Sequence, residues 1–159
     1  MKLIELTQGR YTRVSDCDYT YLNQWSWYYA NTGYAVRSHR VNGKCTTVLM
    51  HREIMLLRGM AEDLHVDHRD RDRSNNTRSN LRAATPSQNQ ANRQLKSKYR
   101  GVWLFSPKDW TPTKPWRATL RVKGKVIGAG YHKTQRDAAR AYNAVAKKYF
   151  GRFAVLNIL

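Results

Sequence analysis

Negative charge is scarce in this chain: 11 Asp and Glu stand against 29 Lys and Arg in 159 residues, a formal net charge of +18. Such an imbalance points to polyanionic partners, nucleic acid first. Cysteine is thin too. Cys17 and Cys45 have no paired spacing for a four-thiolate zinc site, and two thiols cannot staple a small secreted scaffold. No apolar run approaches the roughly 18 residues that a membrane span requires, and the mean hydropathy is −0.76. Residues 1–10 lack the apolar core of a secretory signal, so a cytoplasmic protein is expected, with no membrane partner. There are only four prolines, and neither a repeat nor a low-complexity segment interrupts the chain.

What is present is unevenly distributed. Up to Gln94 there are 14 basic and 9 acidic side chains, a net of +5; from Leu95 onward there are 15 and 2, a net of +13. A shift this abrupt predicts two units, 1–94 and 95–159, joined through Leu95-Lys96-Ser97-Lys98. Aromatic residues occur in both, so neither reads as a disordered basic tail.

In the C-terminal unit, residues 99–105 form an apolar and aromatic run that reads as a strand. The loop 106–115 holds Pro107, Pro112 and Pro115, which bar a regular ladder. Trp116, Ala118, Leu120 and Val122 then alternate with Arg117, Thr119 and Arg121, and period two separates an apolar face from a basic one. Lys123-Gly124 turns the chain into a third strand over 125–131. Thr134 is placed as an N-cap with Asp137 three residues on. Ala138, Tyr142, Val145, Ala146 and Tyr149 follow at helical spacing, and Gly151 supplies the stop. The expected unit is a three-stranded antiparallel sheet packed on one helix. Its open face carries Arg117 and Arg121 and suits a DNA major groove. A merely solvated basic face is the alternative, disfavoured by the concentration of charge.

The blocks Tyr99-Arg100-Gly101-Val102, Trp116-Arg117-Ala118, Ala138-Ala139-Arg140-Ala141-Tyr142-Asn143 and Ala154-Val155-Leu156-Asn157 occur in that order over about residues 97–158. They resemble the DNA-binding domain of plant ethylene-response factors, the Apetala-two family, whose relatives include phage and bacterial endonucleases. The resemblance implies that Arg100, Trp103, Thr119, Arg121 and Lys125 face DNA. Trp103 stands where the plant proteins carry arginine, and Ile127 where they carry tryptophan. Gly128-Ala129-Gly130-Tyr131 also departs from the plant pattern, so the plant target sequence does not carry over.

In the N-terminal unit, residues 34–38 and 45–50 flank Val41-Asn42-Gly43-Lys44, where Asn-Gly predicts a hairpin. A short helix is expected over 18–27 and another from His51 to Leu57, closed by Gly59. Trp25, Trp27, Tyr28 and Tyr29 read as core. The polar segment 66–82 would ordinarily be a solvated loop. It precedes Thr85-Pro86-Ser87-Gln88, a helix start with Thr as N-cap, Pro at N1 and Gln at N3, which puts Asn89 in the first turn. Two strands around a turn and then a helix can bring Asp67, His68 and Asn89 together. Strand neighbours point to opposite faces, so Asp67 and His68 share a site only where the strand ends or twists. Phosphodiester hydrolysis needs a hard cation held by oxygen ligands and a base for the attacking water. Asp67 and Asn89 offer carboxylate and amide oxygens, and His68 titrates near neutrality.

Met50-His51-Arg52, Val66-Asp67-His68, Asn75-Asn76, Asn80-Leu81-Arg82 and residues 85–89 resemble, over about residues 1–94, the His-Asn-His endonucleases in the variant whose last His is Asn. That variant is common among phage and intron-encoded homing endonucleases. The resemblance implies a ββα-metal (His-Me finger) unit in which His68 is the general base and Asn80 orients His68 and its loop. It further implies that Asp67 and Asn89 bind Mg²⁺ or Mn²⁺. Asn75 and Asn76 read as turn formers, and His51 as packing or active-site support. His39, His65 and His132 read as incidental. The arginines from Arg69 to Arg82 can hold phosphates.

The combined expectation is an α+β protein, a nuclease unit followed by a DNA-holding sheet. It would be a metal-dependent, homing-type endonuclease acting on double-stranded DNA, phage-encoded and working in the bacterial host cell. Two rivals differ in class. A transcription regulator that binds without cutting would leave Asp67, His68 and Asn89 dispensable. An RNA-binding protein would use the aromatics for base stacking.

Overall fold

The computed structural model describes residues 1–93, 97–108 and 111–159. Leu95 and Lys96 of the expected connection, and residues 109 and 110 of the proline loop, lie outside the described residues. The chain is of mixed α and β structure and divides into two compact units, Met1–Thr85 and Pro86–Leu159.

The first unit begins with an antiparallel hairpin, β1 (Lys2–Leu6) and β2 (Arg10–Val14), in register Lys2↔Val14. Ile4, Leu6, Thr12 and Val14 alternate inward and are buried, as period two requires. Helix α1 (Asp16–Leu22) is shorter than the stretch expected over 18–27. Its last carbonyl, on Leu22, accepts the Trp27 indole N–H at 2.8 Å and the Trp25 N–H at 3.4 Å, which closes the helix. β3 (Tyr28–Tyr29), β4 (Ala35–Val41) and β5 (Lys44–Leu49) form a second sheet. The β4–β5 turn holds Asn42 at φ 49° and Gly43 at φ 78°, the two positive angles that an Asn-Gly hairpin turn demands.

Helix α2 (Met50–Leu57) leads to β6 (His65–His68), β7 (Asn75–Asn76) and β8 (Leu81–Ala84). β6 pairs antiparallel with β8, while β7 joins β2 in parallel, Arg13↔Asn75 and Val14↔Asn76. The core gathers Ile4, Leu6, Val14, Leu22, Trp27, Met50, Ile54 and Leu81 from these elements. Each fully buried aliphatic side chain contributes about 1.5–3 kcal/mol, enough to hold short strands in place. Two half-buried or buried ion pairs add fixed points. Arg78 grips the buried Asp18 of α1 at 2.6–3.0 Å, and Arg37 meets Glu53 at 2.9 Å.

The second unit comprises α3 (Pro86–Asn92), β9 (Val102–Leu104), β10 (Trp116–Val122), β11 (Lys125–His132), α4 (Gln135–Phe150) and a 3-10 turn (Gly151–Phe153). The sheet order is β11-β10-β9, all antiparallel, and α4 packs against its strands. Ala118 and Leu120 of β10 are buried with Ala138, Ala139, Tyr142, Ala146 and Phe150 of α4. The inward stripe of α4 runs 138-142-146-150, at spacing four, so Tyr149 is exposed rather than packed. Thr134 caps α4, its hydroxyl oxygen accepting from the Asp137 N–H. The first strand is shorter than the run 99–105. Asn157 takes the Arg100 N–H at 2.6 Å and donates to the Arg100 carbonyl at 3.2 Å, removing that residue from the ladder. Among the described residues no helix is long and apolar enough to cross a membrane.

Candidate active site

The β6–β8 pair sets Asp67 opposite Arg82 and His68 opposite Leu81. Successive strand residues face opposite ways, and the partners of Asp67 and His68 differ accordingly. Asp67 is 3% exposed. Its Oδ2 accepts from Arg82 Nε at 2.7 Å and lies 2.7 Å from Nη2. His68, at the end of β6 and 5% exposed, packs with Tyr34 and His51. The ring centroids of His68 lie 5.9 Å from Tyr34 and 5.1 Å from His51, the latter edge to face. His51 comes from α2, which packs against β6, β7 and β8. Tyr34 and His51 are 4.6 Å apart.

His68 Nε2 is bonded to Asn76 Oδ1 at 3.1 Å. The Asn76 amide nitrogen donates to Thr12 Oγ1 at 2.7 Å, and that hydroxyl donates to the Ser74 carbonyl at 2.9 Å. With its nitrogen engaged as donor, Asn76 presents an acceptor to the imidazole. Nε2 therefore carries the proton and Nδ1 is the basic nitrogen. Asn76 is 1% exposed and sits on β7, not in a turn: parallel pairing with β2 draws it inside. Asn75 partly keeps the turn role, accepting from Thr77 Oγ1 at 2.9 Å and donating to Asp70 at 2.6 Å.

Asn80 acts on the loop rather than on the ring. Its Nδ2 donates to Asp70 Oδ1 at 2.9 Å and to the Asn75 carbonyl at 2.7 Å, and its Oδ1 accepts the Asp70 N–H at 3.0 Å. These bonds fold residues 69–80 back toward the end of β6. Asn89 lies on α3, half-exposed, in the second unit.

Electrostatics keep both histidines neutral at pH 7. Burial, with help from the neighbouring His68, pushes His51 down to about 3. Burial also lowers His68, opposed by the Asn76 hydrogen bond and the carboxylates of Asp70, Asp67 and Asp72. A neutral imidazole protonated at Nε2 is basic at Nδ1. Among the described residues no three His, Cys, Asp or Glu side chains cluster so as to hold a metal. Tyr34 and Thr12 carry no local signal of membership in the site, and Asn76 and Arg82, though inside matching blocks, carry none of their contacts to His68 and Asp67. They reach it from positions distant in sequence or across a strand pair.

In the second unit, strand register sets Arg117 between Trp103 and Tyr131. The guanidinium lies 5.5 Å from the Trp103 ring and 5.6 Å from Tyr131, close enough for cation–π attraction. Trp103 is 52% exposed and Tyr131 43%. Thr119 is half-buried beside them, and Arg121 and Lys125 are exposed. Arg100 is turned toward its own unit, its Nη2 donating to the Arg93 carbonyl.

An HNH endonuclease family model matches residues 50–91, the stretch from α2 through β6, β7 and β8 into α3. Over 153 residues the chain is 33% identical to an uncharacterized HNH endonuclease of Acanthamoeba polyphaga mimivirus, covering 94% of this chain and 76% of that viral protein. No solved structure matches the chain. The family match covers the strand pair that carries His68, and the viral relative aligns through both units; this chain belongs to the HNH endonuclease family.

Proposed function

We propose that the protein is a divalent-metal-dependent endonuclease of duplex DNA, cutting with its first unit and holding DNA with the sheet of its second. One observation carries the reading: His68 is buried at the end of β6 with Nε2 bonded to Asn76 Oδ1, which fixes the tautomer that is basic at Nδ1. In this account His68 removes a proton from the attacking water. Asn76 holds the ring, His51 and Tyr34 pack against it, and Asn80 holds the loop that follows. By the family resemblance the ion would be Mg²⁺ or Mn²⁺, to which Asp67, paired with Arg82, would offer a carboxylate oxygen; Asn89, named by the same resemblance as an amide ligand, lies on α3 of the other unit. Such ions take one or two hard oxygen ligands from protein and the rest from water and phosphate. When bound, the ion would stabilise negative charge on the phosphate and the leaving oxygen.

The second unit resembles the Apetala-two domain, and its exposed Trp103, Arg121 and Lys125 with Arg117 and Thr119 support a role in holding duplex DNA. Arg100, bonded within its own unit, would support that face. Lys and Arg contacts to phosphates would supply most affinity, and base-edge contacts the sequence preference. A labelled linear duplex incubated with Mg²⁺, Mn²⁺ or EDTA tests the reading. Strand breaks that need a divalent ion are expected. Tight, salt-sensitive binding with no break under any ion would favour a non-cleaving DNA-binding regulator.

A further inference from the structure

The arginines from Arg71 to Arg82 divide by partner. Arg78 is held by Asp18 and Arg82 by Asp67. Arg71 and Arg73 are exposed, and neither they nor Arg10 has an ion pair among the described residues. These three line one groove of about 690 Å³, between the start of β2, the turn at 31–33 and residues 71–74. The Arg10 guanidinium lies 4.1 Å from the Tyr29 ring centroid, and Arg73 lies 4.6 Å from that of Tyr34 while donating to the Thr32 carbonyl. Both head groups are thereby pre-oriented by aromatic faces. Arg71 has φ 68°, and its N–H donates to the His68 carbonyl at 3.0 Å, so it caps the turn immediately after His68. The one carboxylate of the lining, Asp72, is already engaged by Arg13 at 2.5 Å and by the Ser74 hydroxyl at 2.7 Å. Gly33 forms part of the wall at φ 86°, where a Cβ would sit 3.4 Å from both Arg73 Cδ and the Tyr29 hydroxyl.

Unpaired, pre-oriented guanidinium groups around a neutralised carboxylate favour a multiply charged anion. Tyr34 connects the groove to the catalytic cluster, since it touches Arg73 on one side and the His68 ring on the other. We propose that this groove binds the phosphate backbone of the DNA strand flanking the phosphate on which His68 acts, with Arg10 and Arg71 each contacting one phosphate. The identity of the anion rests on the nuclease reading, so the test is read without cleavage.

Binding of the full-length protein to a fluorescent DNA duplex is measured by anisotropy in EDTA across a salt series. The variants are R10Q/R71N, in which Asn tolerates the left-handed backbone at 71, and the charge-retaining R10K/R71K. Each lost phosphate contact lowers the slope of log K against log salt by about 0.9. R10Q/R71N should therefore lose about 1.8 in slope, and its affinity deficit should shrink about twelvefold between roughly 50 and 200 mM salt. R10K/R71K should keep the slope of the unsubstituted protein. An unchanged slope in R10Q/R71N overturns the proposal, as does an equal loss in R10K/R71K, which would trace the effect to packing. A hairpin RNA that binds more tightly than the duplex, with the same arginine-dependent slope, would reassign the groove to RNA. Failure of the nuclease reading registers separately, as absence of cleavage in Mg²⁺ with the slope difference intact.

Discussion

His68 Nε2 and Asn76 Oδ1 lie 3.1 Å apart, and the polarity of that bond is set from beyond the amide by Thr12. The chain runs from imidazole to amide to hydroxyl to the Ser74 carbonyl, each group donating to the next. Asn76→Ala removes the acceptor that fixes the tautomer. Single-turnover cleavage should slow by roughly tenfold to a hundredfold, a part of the 10²–10⁴ that a positioned general base supplies. Duplex affinity in EDTA should not change. Cleavage at the full rate would show that the ring is held without Asn76.

Asp67 and Arg82 form a buried cross-strand pair, and breaking such a pair leaves one charge uncompensated. Arg82→Ala should cost about 3–5 kcal/mol in unfolding free energy of the first unit. Urea denaturation measures this. A loss below about 1 kcal/mol would mean that Asp67 is satisfied by other groups.

The local features of the fold were legible in the sequence, and the convergent ones were not. Asn42-Gly43 announces its hairpin because only residues tolerant of positive φ make that turn. Thr134 and Gly151 mark the ends of α4 through capping chemistry that needs no distant partner. The Asp67–His68 block stood out in the sequence by its residue types. Of the residues around His68, His51 stood out in its block, but the others did not: Asn76 meets Thr12 across 64 positions, and Tyr34 comes from the turn before β4. Long-range packing of that kind leaves no periodicity. Asn76 looked like a turn former because Asn-Asn is common in turns, yet the pairing of β7 with β2 buried it. The arginines from Arg69 to Arg82 were indistinguishable until Asp18 and Asp67 claimed two of them.

Acid should destabilise the first unit through His51. Unfolded, His51 takes a proton near pH 6.5; folded, not until about 3. The lowered folded value means that stability is complete above about pH 6.5 and is lost as pH falls from there toward 3, because the unfolded chain binds the extra proton. His51→Phe keeps an aromatic ring against Tyr34 and removes the titration. Between about pH 7 and pH 5 it should lose about 2 kcal/mol less stability than the unsubstituted protein. Parallel losses in both proteins would contradict the burial assigned to His51.

Gly101 tests the core of the second unit. It has φ 66°, and a Cβ there would collide with the Thr119 carbonyl and the Tyr142 ring. Gly101→Ala should destabilise the unit by more than about 1–3 kcal/mol, combining backbone strain with overpacking. Thermal melting followed by near-ultraviolet circular dichroism reads the effect. An unchanged Tm would require Tyr142 to move freely, against its burial.

The central claim is that His68 is the base of a metal-dependent DNA-cutting site. The most direct measurement is conversion of supercoiled plasmid in Mg²⁺ by the unsubstituted protein and by His68→Ala at matched DNA occupancy, with EDTA as reference. The account predicts nicked or linear product from the unsubstituted protein, none in EDTA, and a loss of rate of about 10²-fold or more in His68→Ala. Equal cleavage by His68→Ala would contradict it and move the catalytic base elsewhere in the chain.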